Sequence, residues 1–68
     1  MFNRKQFSED VFKYRSTNEL TRKELGRIAN VHFASIQGIE NQEYDPRTST
    51  FLKLCKILKV EPFNYLKL

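Results

Sequence analysis

The chain has 68 residues and a formal net charge of +4, and its hydrophobic fraction is 40% with only two Gly and two Pro. This composition argues against disorder and allows one domain, residues 1–68, with one small core. Cys55 is the only cysteine and His32 the only histidine, which excludes an internal disulfide and argues against a metal site. No apolar run is long enough for a membrane span or a signal peptide, so we expect a cytoplasmic protein. The basic balance favours a polyanionic partner without deciding the matter.

The first predicted helix begins after Asn3, which can serve as its N-cap. Gln6 stands three residues later as the reciprocal partner of this cap. Phe7, Val11 and Tyr14 follow at helical spacing and form one apolar stripe.

A pair of short helices joined by a tight turn follows. Thr21 and Glu24 form a capping-box pattern for a helix over about residues 22–29, and a third helix follows over about residues 33–41. Asn30 lies in the turn between them, where a left-handed backbone is needed and Asn tolerates it. The apolar positions that would hold the two helices together are Leu25, Ala29, Val31, Ile36 and Ile39.

The last part of the chain predicts two more helices and no strand. Tyr-Asp-Pro at 44–46 is a helix stop, and a fourth helix follows over about residues 49–58. Pro62 suits the first turn of a short fifth helix. The expected inward-facing residues are Phe51, Leu54, Cys55 and Leu58 in the fourth helix, and Phe63 and Leu66 in the fifth.

The outward face of the third helix carries groups that can read base edges. Packing against the second helix would fix the third as a rod whose other face can enter the major groove. Gln37 can pair with adenine N6 and N7, while Phe33 and Ala34 can contact thymine methyl groups. His32 lies on the same face, and Gly38 is expected to leave space for the backbone to approach.

Several groups of residues in one register resemble a known family. They are Leu20-Thr21 and Glu24-Leu25 in the second helix, Ile36, Ile39-Glu40 and Asn41 in the third, and Pro46 with residues 51–56 in the fourth. With them the chain resembles the lambdoid phage repressors and Cro proteins, also called the XRE family, over about residues 7–66.

The resemblance implies an all-α, five-helix, lambda-repressor-like DNA-binding domain with the helix-turn-helix at helices 2 and 3. It also implies a sequence-specific regulator of transcription, most often a repressor, that binds operator DNA as a homodimer in the bacterial nucleoid. An enzyme activity, a cofactor, a metal, a small-molecule ligand and a membrane are not expected. Candidate dimer contacts are Phe63, Tyr65 and Leu66, although Phe63 and Leu66 could instead complete the core.

The resemblance also implies roles for individual residues. Arg22 opens helix 2, where the family usually has a phosphate contact, and Asn41 matches a position that contacts the DNA backbone. Glu40 matches a carboxylate that pairs with an arginine at the end of helix 1, here Arg15, as a structural ion pair. With Ser35 and Arg47 as further phosphate contacts, the expected DNA-binding residues are Arg22, His32, Phe33, Ala34, Ser35, Gln37, Gly38, Asn41 and Arg47.

The loop after helix 3 is unusually acidic for such a protein. No Lys or Arg lies between Arg27 and Arg47, whereas Glu40, Glu43 and Asp45 do. Few cationic contacts predict a shallow salt dependence of DNA binding. The same acidic segment, together with the apolar Phe33, motivates an alternative function, a protein-interaction module of this fold, of the antitoxin or anti-repressor type, with weak DNA binding.

Some positions have two interpretations. His32 is either a surface residue ahead of a helix or a DNA contact, and Phe33 is a packing residue, a partner contact or a reader of thymine methyls. Tyr44 packs locally or faces a phosphate, and Cys55 is a buried inert thiol or a redox sensor. The residues of the basic stripe on helix 4 are solvated or contact an anion: Lys53, Lys56 and Lys59.

Overall fold

The computed structural model describes residues 1–66, which form four α-helices and one short 3-10 helix. None of the helices in this part of the chain is long and apolar enough to cross a membrane. The helices are α1 (Arg4–Thr17), α2 (Arg22–Ala29), α3 (Phe33–Glu40) and α4 (Thr48–Leu58), followed by the 3-10 helix Pro62–Tyr65.

The expected fifth helix is therefore a single 3-10 turn. Pro62 begins it, as predicted, but Leu66 already has extended backbone and forms an isolated antiparallel bridge with Phe2. Because the chain turns at Leu66 to meet its own N-terminal segment, the helix ends before an α-helical hydrogen-bond ladder can develop.

The predicted signals for the start and for the end of α2 are both present. The backbone N–H of Glu24 donates to Thr21 Oγ1 at 3.1 Å, and the N–H of Thr21 donates to Glu24 Oε1 at 2.8 Å. Hydrogen bonds from the backbone N–H and from the side chain of Thr21 lower the pKa of the Glu24 carboxyl. Asn30 has φ 59° and ψ 47°, which confirms the predicted left-handed turn residue.

The core joins the apolar faces of all four α-helices to a cluster of aromatic rings. Phe7 lies at its centre, with its ring centroid 5.0 Å from those of Phe51 and Tyr65, both in edge-to-face geometry. Most of the predicted core positions are buried, whereas Val31, Tyr14 and Leu58 are half-buried against it. The buried apolar residues are Phe7, Val11, Leu25, Ala29, Ile36, Ile39, Phe51, Leu54, Cys55 and Tyr65.

The exposure of the side chains decides the predictions made for Tyr65, Phe63 and Cys55. Tyr65 is only 1% exposed and donates its hydroxyl to Asp10 Oδ2 at 2.6 Å, so its assignment as a dimer contact is wrong. Phe63 is 76% exposed and does not complete the core. Cys55 is buried, and burial raises the pKa of its thiol, as expected of an unreactive side chain.

Gly26 lies close to the turn and to the start of α3. A Cβ on this residue would lie 2.6 Å from the carbonyl oxygen of Val31, whose own N–H donates to the Gly26 carbonyl at 2.9 Å. The ammonium of Lys53 donates to the Asn30 carbonyl at 3.2 Å and ties the turn to α4. The turn is thus held against both neighbouring helices.

Gly26→Ala should lower the free energy of unfolding, because the obstructing Val31 carbonyl is backbone and cannot move without separating α2 from α3. Overpacking costs about 1–3 kcal/mol and Ala regains up to roughly 1 kcal/mol of helix propensity, so we expect a net loss of about 1–2 kcal/mol. Urea denaturation measures it, with the exposed Arg27→Ala as the control. A Gly26→Ala protein as stable as wild type would contradict the close approach.

Candidate nucleic-acid interface

The carboxylate of Glu40 lies between two arginines at the end of α3. Its side chain is only 3% exposed. Arg15 donates from Nε to Oε2 at 2.8 Å and from Nη2 to Oε1 at 2.9 Å, and Arg22 donates from Nε to Oε1 at 3.1 Å. The hydrogen bonds to Glu40 raise the pKa of Arg15. The structure thus brings together the expected pair of Arg15 and Glu40 and adds Arg22 to it.

This cluster fixes the direction of α3 relative to the rest of the domain. Arg15 also donates to the Leu20 carbonyl at 3.1 Å, and the hydroxyl of Ser8 donates to the backbone carbonyl of Glu40 at 2.8 Å. The end of α3 is therefore bound to α1 and to the start of α2. Arg22, expected as a phosphate contact, donates to Glu40 with part of its guanidinium and keeps a side chain that is 35% exposed.

The start of α3 is an ordered aromatic and cationic corner. His32 is the N-cap residue, and its Nδ1 accepts from the backbone N–H of Ala34 at 3.1 Å. The His32 ring stacks on Phe33 with centroids 4.8 Å apart, and Lys23 Nζ lies 5.4 Å from the centre of the Phe33 ring. The side chains of His32 and Phe33 both remain exposed. The position of Phe33 is thus set before any partner arrives.

The outward face of α3 is exposed, as the predicted binding of this helix in the major groove requires. Ile36 and Ile39 are buried in the core, whereas the side chains of Ala34 and Gln37 are exposed. Asn41, the C-cap residue, is also exposed. The side chains of Ala34, Gln37 and Asn41 are therefore all accessible to a partner.

Gly38 does not leave the open space expected of it. A Cβ placed on this residue would overlap Cζ and the hydroxyl oxygen of Tyr44, so the phenol ring already fills that space. The space expected here is therefore occupied, because the loop after α3 folds back over the helix. Gly38 itself is buried.

The acidic segment is largely neutralised within the domain. Glu40 is paired with arginines, and Asp45 accepts from Nε of Arg4 at 2.8 Å. Among residues 1–66, Glu43 is the member of this group for which no salt bridge is observed. The repulsion that a phosphate would meet at this loop is thus smaller than the sequence suggests.

A groove between α3, the turn and the start of α4 collects several expected phosphate contacts. Ser35, Arg47 and Lys53 line it together with His32. Arg47 is exposed and precedes α4, whose first turn has no side-chain cap. Free backbone N–H groups at a helix start favour an anionic ligand. The groove therefore combines basic side chains and a helix N-terminus with one carboxylate, that of Asp45, which is paired with Arg4.

Two contacts of this surface were not predicted from the sequence, although local packing was one of the two interpretations of Tyr44. The contact of Lys23 with the Phe33 ring was not expected. Tyr44 covers Gly38. A glycine on the outer side of a helix, followed within one short loop by a tyrosine, is the signal that could have suggested this contact.

The comparisons with known proteins gave one result. The family model described as helix-turn-helix matches residues 12–64, which include all of α2, α3 and α4. Neither the curated proteins nor the solved structures gave a significant match.

Glu40→Gln should destabilise the protein strongly, because two arginines lose their buried counter-charge. We expect a loss of about 2–4 kcal/mol in the free energy of unfolding, near the lower end for breaking a buried pair since Arg22 stays partly exposed. Asp45→Asn is the matched control, because it breaks a solvent-exposed pair with Arg4 worth about 1 kcal/mol or less. Chemical denaturation compares them, and equal losses would contradict the anchoring role of Glu40.

Proposed function

The chain belongs to the XRE type of the helix-turn-helix family, and we propose that it is a sequence-specific, double-stranded DNA-binding repressor of transcription. It acts by occupying an operator with α3 in the major groove. The observation that carries the proposal is the exposed outer face of α3 on a helix whose two ends are fixed. The capped, packed start and the buried Glu40 cluster at the end let this helix enter a groove as a rigid unit.

Base reading is assigned to the exposed side chains of α3. Gln37 has an exposed amide for bidentate pairing with adenine, and Phe33 and Ala34 offer apolar contacts for thymine methyl groups. His32 holds the start of the helix and contributes its exposed ring at the groove edge.

Phosphate contacts are assigned to the rim of this surface. Arg47, Ser35 and the uncapped start of α4 lie on one side of α3, and Arg22 and Asn41 on the other. These groups fix register and orientation on the duplex, while sequence discrimination comes from α3.

We further propose a homodimer on DNA. Two α3 helices would read half-sites about 34 Å apart on a near-palindromic operator. Phe63 and Leu66 remain the candidate dimer contacts, since both are exposed. DNA as the partner would place the protein in the cytoplasm, at the nucleoid.

The alternative of a protein-interaction module rested on the acidic segment together with the apolar Phe33. Two of its three carboxylates, Glu40 and Asp45, have arginine partners inside the domain. They are therefore less available to an external basic partner, and we favour DNA binding.

Selection from a random duplex pool at physiological salt tests the function directly. We expect enrichment of a near-palindromic site. On that site, Phe33→Ala and Gln37→Ala should each cost roughly 1–3 kcal/mol of binding free energy, because each removes a base contact. Leu52→Ala, an exposed apolar change on α4, is the control. Folded protein that enriches no sequence, or unchanged affinity in both α3 variants, would refute the assignment.

The salt dependence of binding tests the phosphate contacts separately. Since few cations face the DNA, the slope of log K against log salt concentration should be shallow. Arg47→Ala should reduce its magnitude by about 1 per protomer while weakening all sequences alike. Binding titrations between low and physiological salt measure it. An unchanged slope would remove Arg47 from the interface.

A further inference from the structure

We propose that Tyr44 is a specificity-determining residue, and that its phenol takes the place of a side chain at position 38 on the face that reads DNA. This inference rests on the proposed function above. The ring comes from the loop after α3 rather than from the helix itself.

The ring of Tyr44 lies directly on the backbone of α3. A Cβ on Gly38 would overlap the far end of this phenol, and Tyr44 Oη lies 3.5 Å from the Ala34 carbonyl oxygen, the outer limit of a hydrogen bond. The far end of the ring therefore lies over Gly38 and beside the carbonyl of Ala34. Only a glycine at 38 permits this seat without displacing the ring.

The Tyr44 ring lies on the side of α3 that faces away from the core. At about 100° per residue, Ala34 and Gly38 lie about 160° and 200° around the helix from the buried Ile36. Gly38 is nevertheless buried, because Tyr44 covers it, while Tyr44 itself is 44% exposed. A base edge that approached the middle of α3 would meet the phenol before it met the helix.

The loop holds Tyr44 in place from both sides. The N–H of Glu43 donates to the Gly38 carbonyl at 2.9 Å, and the N–H of Gln42 donates to the Ile39 carbonyl at 3.1 Å. After the tyrosine, Asp45 is paired with Arg4 of α1. The ring is thus carried by a segment with contacts to two helices, which is the preorganisation that base recognition needs.

A phenol offers base edges more than the glycine beneath it does. Its hydroxyl can donate to N7 or O6 of guanine or accept from an exocyclic amine, and its ring edge can contact a thymine methyl. Gln37 is exposed on the adjoining part of the helix. Tyr44 and Gln37 would therefore read neighbouring base pairs of one half-site.

Three variants separate base reading from other roles. Tyr44→Phe removes only the hydroxyl, Tyr44→Ala removes the ring, and Gly38→Ala displaces the ring because its obstacle is the movable end of a side chain. Each is put through the same duplex-pool selection as wild type, and affinities are then measured on every single-base variant of the wild-type site. Thermal melting confirms that each variant is folded, and Leu52→Ala is the control for an exposed apolar truncation.

We expect Tyr44→Ala and Gly38→Ala to lose preference at the same base pair of each half-site, by roughly 5- to 150-fold in relative affinity. Tyr44→Phe should lose it in part or change the preferred base, according to whether hydroxyl or ring makes the contact. The other positions of the site should keep their preferences.

Two results would overturn the inference while leaving the proposed function intact. A uniform loss of affinity with unchanged base preferences would make Tyr44 a phosphate or packing residue. Unchanged or tighter binding by Tyr44→Ala, with preferences intact, would make the ring a bystander or an obstacle that the groove displaces. If wild type enriches no site, it is the proposed function that fails.

Discussion

The position of α3 depends on one buried carboxylate. Glu40 receives hydrogen bonds from Arg15 of α1 and Arg22 of α2, so three helices meet at one charge. Such a cluster gains little net stability over an apolar contact, because burying charges is costly. Its contribution is geometric, since the planar guanidinium of Arg15 can donate both of its hydrogen bonds only to a carboxylate in a narrow range of orientations. In this cluster the charge of Arg22 is paired within the domain, and the direction of α3 is fixed.

The paired helices could be predicted closely from sequence, because their signals are local. Thr21 and Glu24 are three residues apart and cap the same turn, and Asn30 meets a steric demand of its own backbone. The four-residue 3-10 helix and the fate of Tyr65 could not be predicted in this way. They depend on Phe2 meeting Leu66, two residues at opposite ends of the described chain.

In the candidate site, too, features with local causes could be predicted from the sequence, and features that depend on the path of a loop or on distant residues could not. The exposure of Gln37 follows from helical periodicity, and periodicity is visible in the sequence. The cover over Gly38 depends on the path of a loop, and the neutralisation of Asp45 depends on Arg4, which is distant in sequence. An acidic segment read as a string of letters therefore exaggerates the negative field that the folded surface presents.

The contact between the chain ends also bears on the order of folding. The N–H of Asn3 donates to the Tyr65 carbonyl at 2.6 Å, and the rings of Phe2 and Tyr65 lie beside each other in the core. During synthesis α2 and α3 can pair early because their contacts are local, but the aromatic cluster must wait for the last helix to leave the ribosome. Ribosome-bound chains would thus hold a helix pair before they hold a closed core.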